Sequence, residues 1–175
     1  MENKLQFYRC MIDPGYIVFS EEPTLLFAVC GRGVVITLWD RISRSGGMVH
    51  CILPNRAFNE KPSNYYINDA IPMLLKQFLH CKNNTYNLEA QIVGGGYIRG
   101  ASRKLAVKTV QAARRMLKRF NIEVVSEDVG GSLGKKVVFN TFAGDAVIIK
   151  TKAIRKTDWV PEYVLNTGPS RHNIR

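Results

Sequence analysis

Through the first third of the chain apolar residues come in short, strand-sized blocks separated by polar punctuation. Residues 15–20 (GYIVFS) and 25–29 (LLFAV) flank Glu21-Glu22-Pro23, which predicts two strands rich in β-branched and aromatic residues. The β-branched run Val34, Val35, Ile36, Thr37 and Leu38 predicts a third over 34–39. Asp40 to Gly47 reads as a polar turn, and Met48 to Leu53 as a fourth strand with His50 inside it. Pro54 to Tyr66 is polar with two prolines and reads as a loop long enough to carry function. The period then lengthens. A helix is expected from an Asn68 or Asp69 cap to about Leu79, with Pro72 in its first turn and Leu74, Leu75, Phe78 and Leu79 facing the core.

His80 to Tyr86, with Asn83-Asn84, is a turn. Leu88 to Val93 is a strand that runs into Gly94-Gly95-Gly96, where a backbone without side chains can bend or approach another chain. Arg103 to Phe120 is the clearest helix: Leu105, Thr109, Ala112, Ala113, Met116, Leu117 and Phe120 share one side. Ile122 to Ser126 is a strand, Glu127 to Gly131 and Leu133-Gly134 form a glycine-rich turn, and 136–140 with 146–150 form a hairpin. Residues 1–150 therefore read as one domain of mixed strand and helix, and 151–175 as a basic tail. In that tail Trp159, Tyr163 and Leu165 form either a recognition peptide or a plain terminus.

Composition narrows the partners. With 46% hydrophobic residues the chain can build a core without disulfides. A net charge of +11 favours acidic partners: nucleic acid, an anionic membrane surface or a Glu-rich protein. Lys104, Lys108, Arg115 and Lys118 form one stripe on the 103–120 helix, flanked by Arg114 and Arg119, a candidate docking face for an acidic protein. RNP, KH and zinc-finger patterns are absent, so a nucleic-acid-binding module is the lesser alternative. No apolar run approaches the roughly 18 residues of a membrane span, and Met1 to Gln6 lacks a secretory core, so a cytoplasmic protein is expected. Cys10, Cys30, Cys51 and Cys81 have no C-x-x-C spacing, so reduced thiols are expected and no metal. The glycines at 94–96 and 130–131 match neither G-x-G-x-x-G nor a Walker loop, so they read as turns and no cofactor is expected.

Five stretches, taken in order, resemble the CheD family, the chemoreceptor glutamine deamidases of bacterial chemotaxis. VVITLWD is similar to the strand after that family's nucleophile, and SGGMVH to its G-G-M-A-H histidine motif. NYYINDAIPMLL resembles the segment opening its first helix, and LEAQIVGGG its K-x-F-G-G-A strand end. EVVSEDVGGSLGKKVVF is similar to A-E-D-x-G-G-x-x-G-R-K-V-x-F, the most specific of the set. The resemblance covers about residues 10–150. It implies an α/β (α+β) layered sandwich with mixed sheet, similar to the catalytic domain of cytotoxic necrotizing factor. It also implies a Cys–His pair that hydrolyses receptor glutamines to glutamate. Chemoreceptor cytoplasmic domains, with their acidic helices, and a CheC-type phosphatase are the implied partners.

His50 matches the family's catalytic histidine. The family cysteine lies in L-G-S-C, directly before the V-x-V-x-L-Y-D strand, and an ungapped register through Asp40 and His50 puts Gly33 there and Phe27 at the family's active-site threonine. A second register pairs Thr24 and Cys30 with the threonine and cysteine, at the cost of inserting Gly31-Arg32-Gly33. The ungapped register is preferred, because Gly31 also matches and a packed site tolerates insertion poorly. A further departure is Leu105-Ala106-Val107-Lys108-Thr109 where the family reads I-G-x-R-N. Two functions follow. The preferred one is a receptor-binding protein with a degraded site; the alternative is an active deamidase using Cys30, with its thiol activated by Arg32, and His50. Cys51, next to His50, is expected on the opposite sheet face, in the core.

Overall fold

The structure is a computed structural model that describes residues 6–81, 85–97 and 102–154. Asn83-Asn84 and the tail residues Trp159, Tyr163 and Leu165 lie outside the described residues. The elements run β1 (Tyr8–Met11), β2 (Ile17–Ser20), β3 (Thr24–Cys30), β4 (Val34–Asp40), β5 (Ser45–Cys51) and α1 (Ile67–His80). After a 3₁₀ turn at Thr85–Asn87 come β6 (Leu88–Gly94), α2 (Arg103–Arg119), β7 (Glu123–Val129), β8 (Gly134–Asn140) and β9 (Ala146–Thr151).

One sheet has the order β2-β5-β4-β6-β7 and the other β1-β3-β8-β9. Pairing is antiparallel except for β1 on β3 and β6 on β7. The helices lie on the five-stranded sheet, α1 over β2 and β5 and α2 over β4, β6 and β7. The layers are thus helix, sheet, sheet, the expected α+β layered fold with a mixed sheet. One core fills the space between helices and sheet, built on Ile36, Leu38, Ile71, Leu74, Phe78 and Leu117. A second fills the space between sheets, built on Leu26, Ala28, Val35, Met48, Val137 and Phe139.

The residue patterns explain these placements. β4 is covered on both faces, which is why VVITLWD reads as a continuous apolar run. In β3, buried positions alternate with half-buried ones, because only one face meets the intersheet core. In β5, Val49 and Cys51 face the helices, which places Cys51 in the core as expected, while Met48 and His50 face the other sheet.

Several expected boundaries differ. Helix α1 starts at Ile67, and its N-cap Tyr66 makes no side-chain capping bond. Asn68 and Asp69 instead hold the preceding loop: Asn68 Oδ1 accepts from the Arg56 amide at 2.8 Å, and Asp69 pairs with the Arg56 guanidinium at 2.8 Å and accepts from the Ser63 amide at 3.0 Å. That loop is therefore pinned at Arg56. Leu79 is 55% exposed; Ile67, Ala70 and Ile71 complete the buried face of α1 instead. The Gly46-Gly47 pair belongs to β5, where side chains would not fit: a Cβ on Gly47 would come 2.5 Å from Leu74 Cδ1. β7 runs on to Val129, through what reads as a turn. β1 is an extra strand without apolar alternation, held at the sheet edge by its parallel pairing with β3.

Candidate active site

His50 reaches its position through strand parity. β5 pairs with β4 so that His50 lies opposite Val35, and its side chain enters the space between the sheets, 2% exposed. There Nδ1 is 3.3 Å from the Ile12 carbonyl oxygen. A carbonyl only accepts, so Nδ1 carries the proton and donates. Burial pushes the imidazole below its usual range, against the opposing pull of the Ile12 hydrogen bond and the nearby Asp13 carboxylate. A neutral ring with a proton on Nδ1 leaves a lone pair on Nε2, the tautomer of a general base.

That lone pair faces Gly33. A Cβ built on Gly33 would stand 3.0 Å from His50 Nε2, 2.9 Å from the Cys51 carbonyl oxygen and 3.1 Å from Ile52 Cγ2. Gly33 is absent from the positive-φ glycines, so its backbone does not require a glycine. The base thus points at a position without a side chain, and its neighbours have closed around that position.

His50 belongs to the five-stranded sheet, whereas Cys30 ends β3 in the four-stranded one, its side chain also directed into the space between the sheets. Its thiol is 1% exposed and donates to the Val93 carbonyl at 3.8 Å; among the described residues no hydrogen bond joins it to His50. Burial pushes the thiol up to about 12, outweighing the lowering effect of Lys135. The cation acting on it is this cross-strand partner, Lys135, rather than Arg32. At neutral pH Cys30 is a protonated core thiol.

Thr24 stands six residues up β3 from Cys30, about 20 Å away at 3.3 Å per residue. Its hydroxyl donates to the Glu22 carbonyl and its amide donates to Thr141 Oγ1, both at 2.9 Å, so it belongs to a corner of the sheet. Phe27 is half-buried on the outer face of the four-stranded sheet. Its backbone still serves the site: the Phe27 carbonyl accepts from the Ile12 amide at 2.7 Å, and the Ile12 carbonyl in turn receives His50.

A knot of backbone and one buried lysine holds Gly33 in place. The Gly33 carbonyl accepts from Gly95 and the Gly31 carbonyl from Gly96, both at 2.8 Å, and Gly130 donates to Gly94 at 2.8 Å. A Cβ on Gly94 would sit 2.2 Å from the Gly33 oxygen, so this approach demands glycine, as the triple glycine implies. Lys135, 2% exposed, donates to the carbonyls of Asp128 (2.7 Å), Gly130 (2.9 Å) and Gly94 (3.2 Å) and pairs with the Asp128 carboxylate at 3.2 Å. Burial raises the Asp128 carboxyl, but hydrogen bonds from Lys150 and Lys135 bring it below its usual range. The D-x-G-G-x-x-G-K stretch is thus the clamp on the loop facing His50. Sequence reasoning had the motif but not this role, and it missed Ile12, which acts through a backbone carbonyl without any side-chain signal.

The helix stripe is solvent-facing: Lys104, Lys108, Arg115 and Lys118 are exposed. α2 carries seven Lys and Arg residues and no acid. Arg103 and Lys104 occupy its first turn, where the helix dipole disfavours cations. Arg114 is bound by Glu127 in β7, which leaves the other cations of the stripe facing outward. Among the described residues no helix is long and apolar enough to cross a membrane, and no group of three or more His, Cys, Asp or Glu is placed to hold a metal.

Comparison with known proteins agrees with the motif pattern. The family model for CheD chemotactic sensory transduction matches residues 52–150, beginning just after His50. A protein of Anaeromyxobacter dehalogenans named probable chemoreceptor glutamine deamidase CheD 1 is 33% identical over 135 residues, 75% of this chain and 78% of its own. A Pyrococcus horikoshii protein of the corresponding name is 33% identical over 120 residues, 65% of this chain and 74% of its own. A Geobacter sulfurreducens protein named probable chemoreceptor glutamine deamidase CheD 2 is 27% identical over 150 residues, 84% and 91% of the two chains.

Proposed function

The chain belongs to the CheD family, and from that premise we propose that it binds chemoreceptor cytoplasmic domains in the cytoplasm as a regulatory member without covalent deamidase chemistry. One observation carries this reading: Gly33 is the residue in front of the His50 lone pair. Amide hydrolysis through a thioester needs a thiolate beside its base, and a glycine offers only backbone. Cys30 does not supply the thiol, since it is buried, protonated and bonded to the Val93 carbonyl. His50 alone is a general base, a role that typically contributes about 10² to 10⁴ in rate.

The docking surface in this reading is the stripe of Lys104, Lys108, Arg115 and Lys118, which suits the acidic helices of receptors. A CheC-type phosphatase is a second partner for the same face. Cations kept in the first turn of α2 cost helix stability, which supports a binding role for them.

The test pairs binding with mass spectrometry on a cognate receptor cytoplasmic fragment. The expected result is a bound fragment with its glutamines intact. Conversion of glutamine to glutamate that disappears in Cys30→Ala would establish the alternative, an active deamidase using Cys30 and His50. Conversion that survives Cys30→Ala but not His50→Ala would mean direct water attack assisted by the histidine.

A further inference from the structure

Next to the backbone of His50 the surface is hollowed into a groove of about 630 Å³. Residues 14–17 form one wall. Their backbone is bonded to that of the histidine: the Gly15 amide donates to the His50 carbonyl at 2.8 Å, and the His50 amide donates to the Tyr16 carbonyl at 3.3 Å. Another wall is α1, which lines the groove through Asp69, Pro72, Met73 and Lys76, a stretch of two turns or about 10 Å.

The loop residues 62–65 complete the lining and are held in place. Gly15 has a φ of 84°, and a Cβ there would stand 2.8 Å from the Tyr65 ring, so glycine lets that ring pack directly on the backbone. The Tyr65 carbonyl accepts from the Ile52 and Leu53 amides at 3.1 and 3.0 Å, and Asp69 holds the Ser63 amide. Arg56, bound by Asp69, also donates to the Glu60 carbonyl at 2.6 Å, and the turn so closed carries Phe58 fully exposed to solvent.

The groove offers apolar surface and positive charge. Tyr65 and Met73 are 44% and 42% exposed, among Pro14, Pro62 and Pro72. Asp69 is spent on Arg56 and Ser63, whereas Lys76 is exposed and has no ion-pair partner among the described residues. Lys61 adjoins the lining residue Pro62. A second copy of the chain, also at +11, is repelled from such a surface, and an acidic partner is attracted. A groove that follows two turns of one helix matches a second helix with apolar anchors at i, i+3, i+4 and i+7.

We propose that this groove seats an acidic amphipathic helix of a protein partner, with its apolar side chains on Tyr65 and Met73, its carboxylates at Lys76, and Phe58 as an apolar anchor beside it. Resting on the reading that the chain binds receptor cytoplasmic domains, this seat adds to the α2 stripe a second contact, next to His50.

The test uses the full-length protein with two fluorescein-labelled ligands followed by anisotropy: a cognate receptor cytoplasmic fragment, and a peptide of Glu with Leu at i, i+3, i+4 and i+7. Met73→Glu with Lys76→Glu alters two exposed side chains, so the melting temperature should hardly change. Both ligands should bind the wild type and lose about tenfold or more in affinity to this variant. Lys108→Glu with Arg115→Glu should weaken the fragment but not the peptide. A fragment that binds the wild type and the groove variant equally overturns the seat and leaves receptor binding standing. Where no fragment binds the wild type, receptor binding itself fails and the peptide decides. Peptide affinity lost in the groove variant alone then supports the seat; no peptide binding, or equal loss in both variants, overturns it. A wild-type dimer in sedimentation that the groove variant disperses also overturns it and assigns the groove to a second copy.

Discussion

Gly33→Cys is the most informative change to this molecule, because it puts a thiol at the position in front of the His50 base. Its cost follows from the packing. The new Cβ would lie 2.9 Å from the Cys51 oxygen, 3.0 Å from His50 Nε2 and 3.1 Å from Ile52 Cγ2, all inside the 3.4–4 Å of ordinary contact. One neighbour is backbone of β5, whose movement disturbs the pairing of Val34 with Cys51. Overpacking of this kind costs about 1–3 kcal/mol. Replacing glycine at a permitted φ recovers about 0.4–1 kcal/mol through the unfolded chain. The net expectation is a loss of about 1–2 kcal/mol, read by urea denaturation and shared by Gly33→Ala, which carries the same Cβ without the sulfur.

The introduced thiol should then differ from the native ones. Cys30 and Cys51 are buried and protonated, whereas a thiol on residue 33 would meet an imidazole lone pair. Alkylation of the peptide containing residue 33, followed against pH by mass spectrometry, should be at least about tenfold faster at pH 7 than in Gly33→Cys/His50→Ala, since a paired thiolate forms below the free value near 8.5. Gain of glutamine conversion on a receptor fragment is the further outcome expected of this thiol. Equal alkylation with and without His50, or a Gly33→Ala protein as stable as the wild type, would show that the base does not face residue 33 at the distances described.

Three further outcomes are expected. His50 is held neutral, with its folded pKa below the unfolded value near 6.5, so the unfolded state takes the proton first and stability should fall as pH drops below about 6.5, by at most about 1.4 kcal/mol per pH unit. Denaturation of the wild type and His50→Gln from pH 7.5 to 5 checks this, since the variant should lack that component. Lys135→Met keeps the stem but strips donors from three carbonyls, so a loss of about 3 kcal/mol is expected by urea denaturation. Lys108→Glu with Arg115→Glu should weaken receptor or phosphatase binding and reduce its salt dependence while leaving the melting temperature nearly unchanged, because both side chains are exposed. Unaltered binding by that variant would remove α2 from the interface.

Much of the fold was legible because burial writes itself into the pattern. The central strand β4 is apolar on both faces, β3 alternates because only one of its faces meets the core, and α2 separates its cations from its apolar stripe. What escaped had no local signal. The parallel pairings of β1 with β3 and of β6 with β7 are set by contacts distant in sequence, and Asn68 and Asp69 turn backward to Arg56 because its backbone amide and its guanidinium arrive from a loop twelve or thirteen residues upstream.

The site shows the same division, and it turns on where β3 ends. Cys30 closes a strand of the four-stranded sheet, and Gly31 to Gly33 carry the chain across to the five-stranded one. Gly33 lies two residues before Val35, the cross-strand partner of His50, and so shares its face. A cysteine and a histidine twenty residues apart therefore sit on facing sheets, with no hydrogen bond between them among the described residues, while a glycine seventeen residues from that histidine is brought against it. The motif register through Asp40 and His50 pointed to the glycine, and strand parity with the sheet crossing brings that glycine against the histidine. The Gly95 amide holds the Gly33 carbonyl, and Lys135 holds the carbonyl of the neighbouring Gly94, with a Cβ position on Gly33 that faces Nε2. Gly94 cannot change without displacing the Gly33 carbonyl, because a Cβ there would stand 2.2 Å from the Gly33 oxygen.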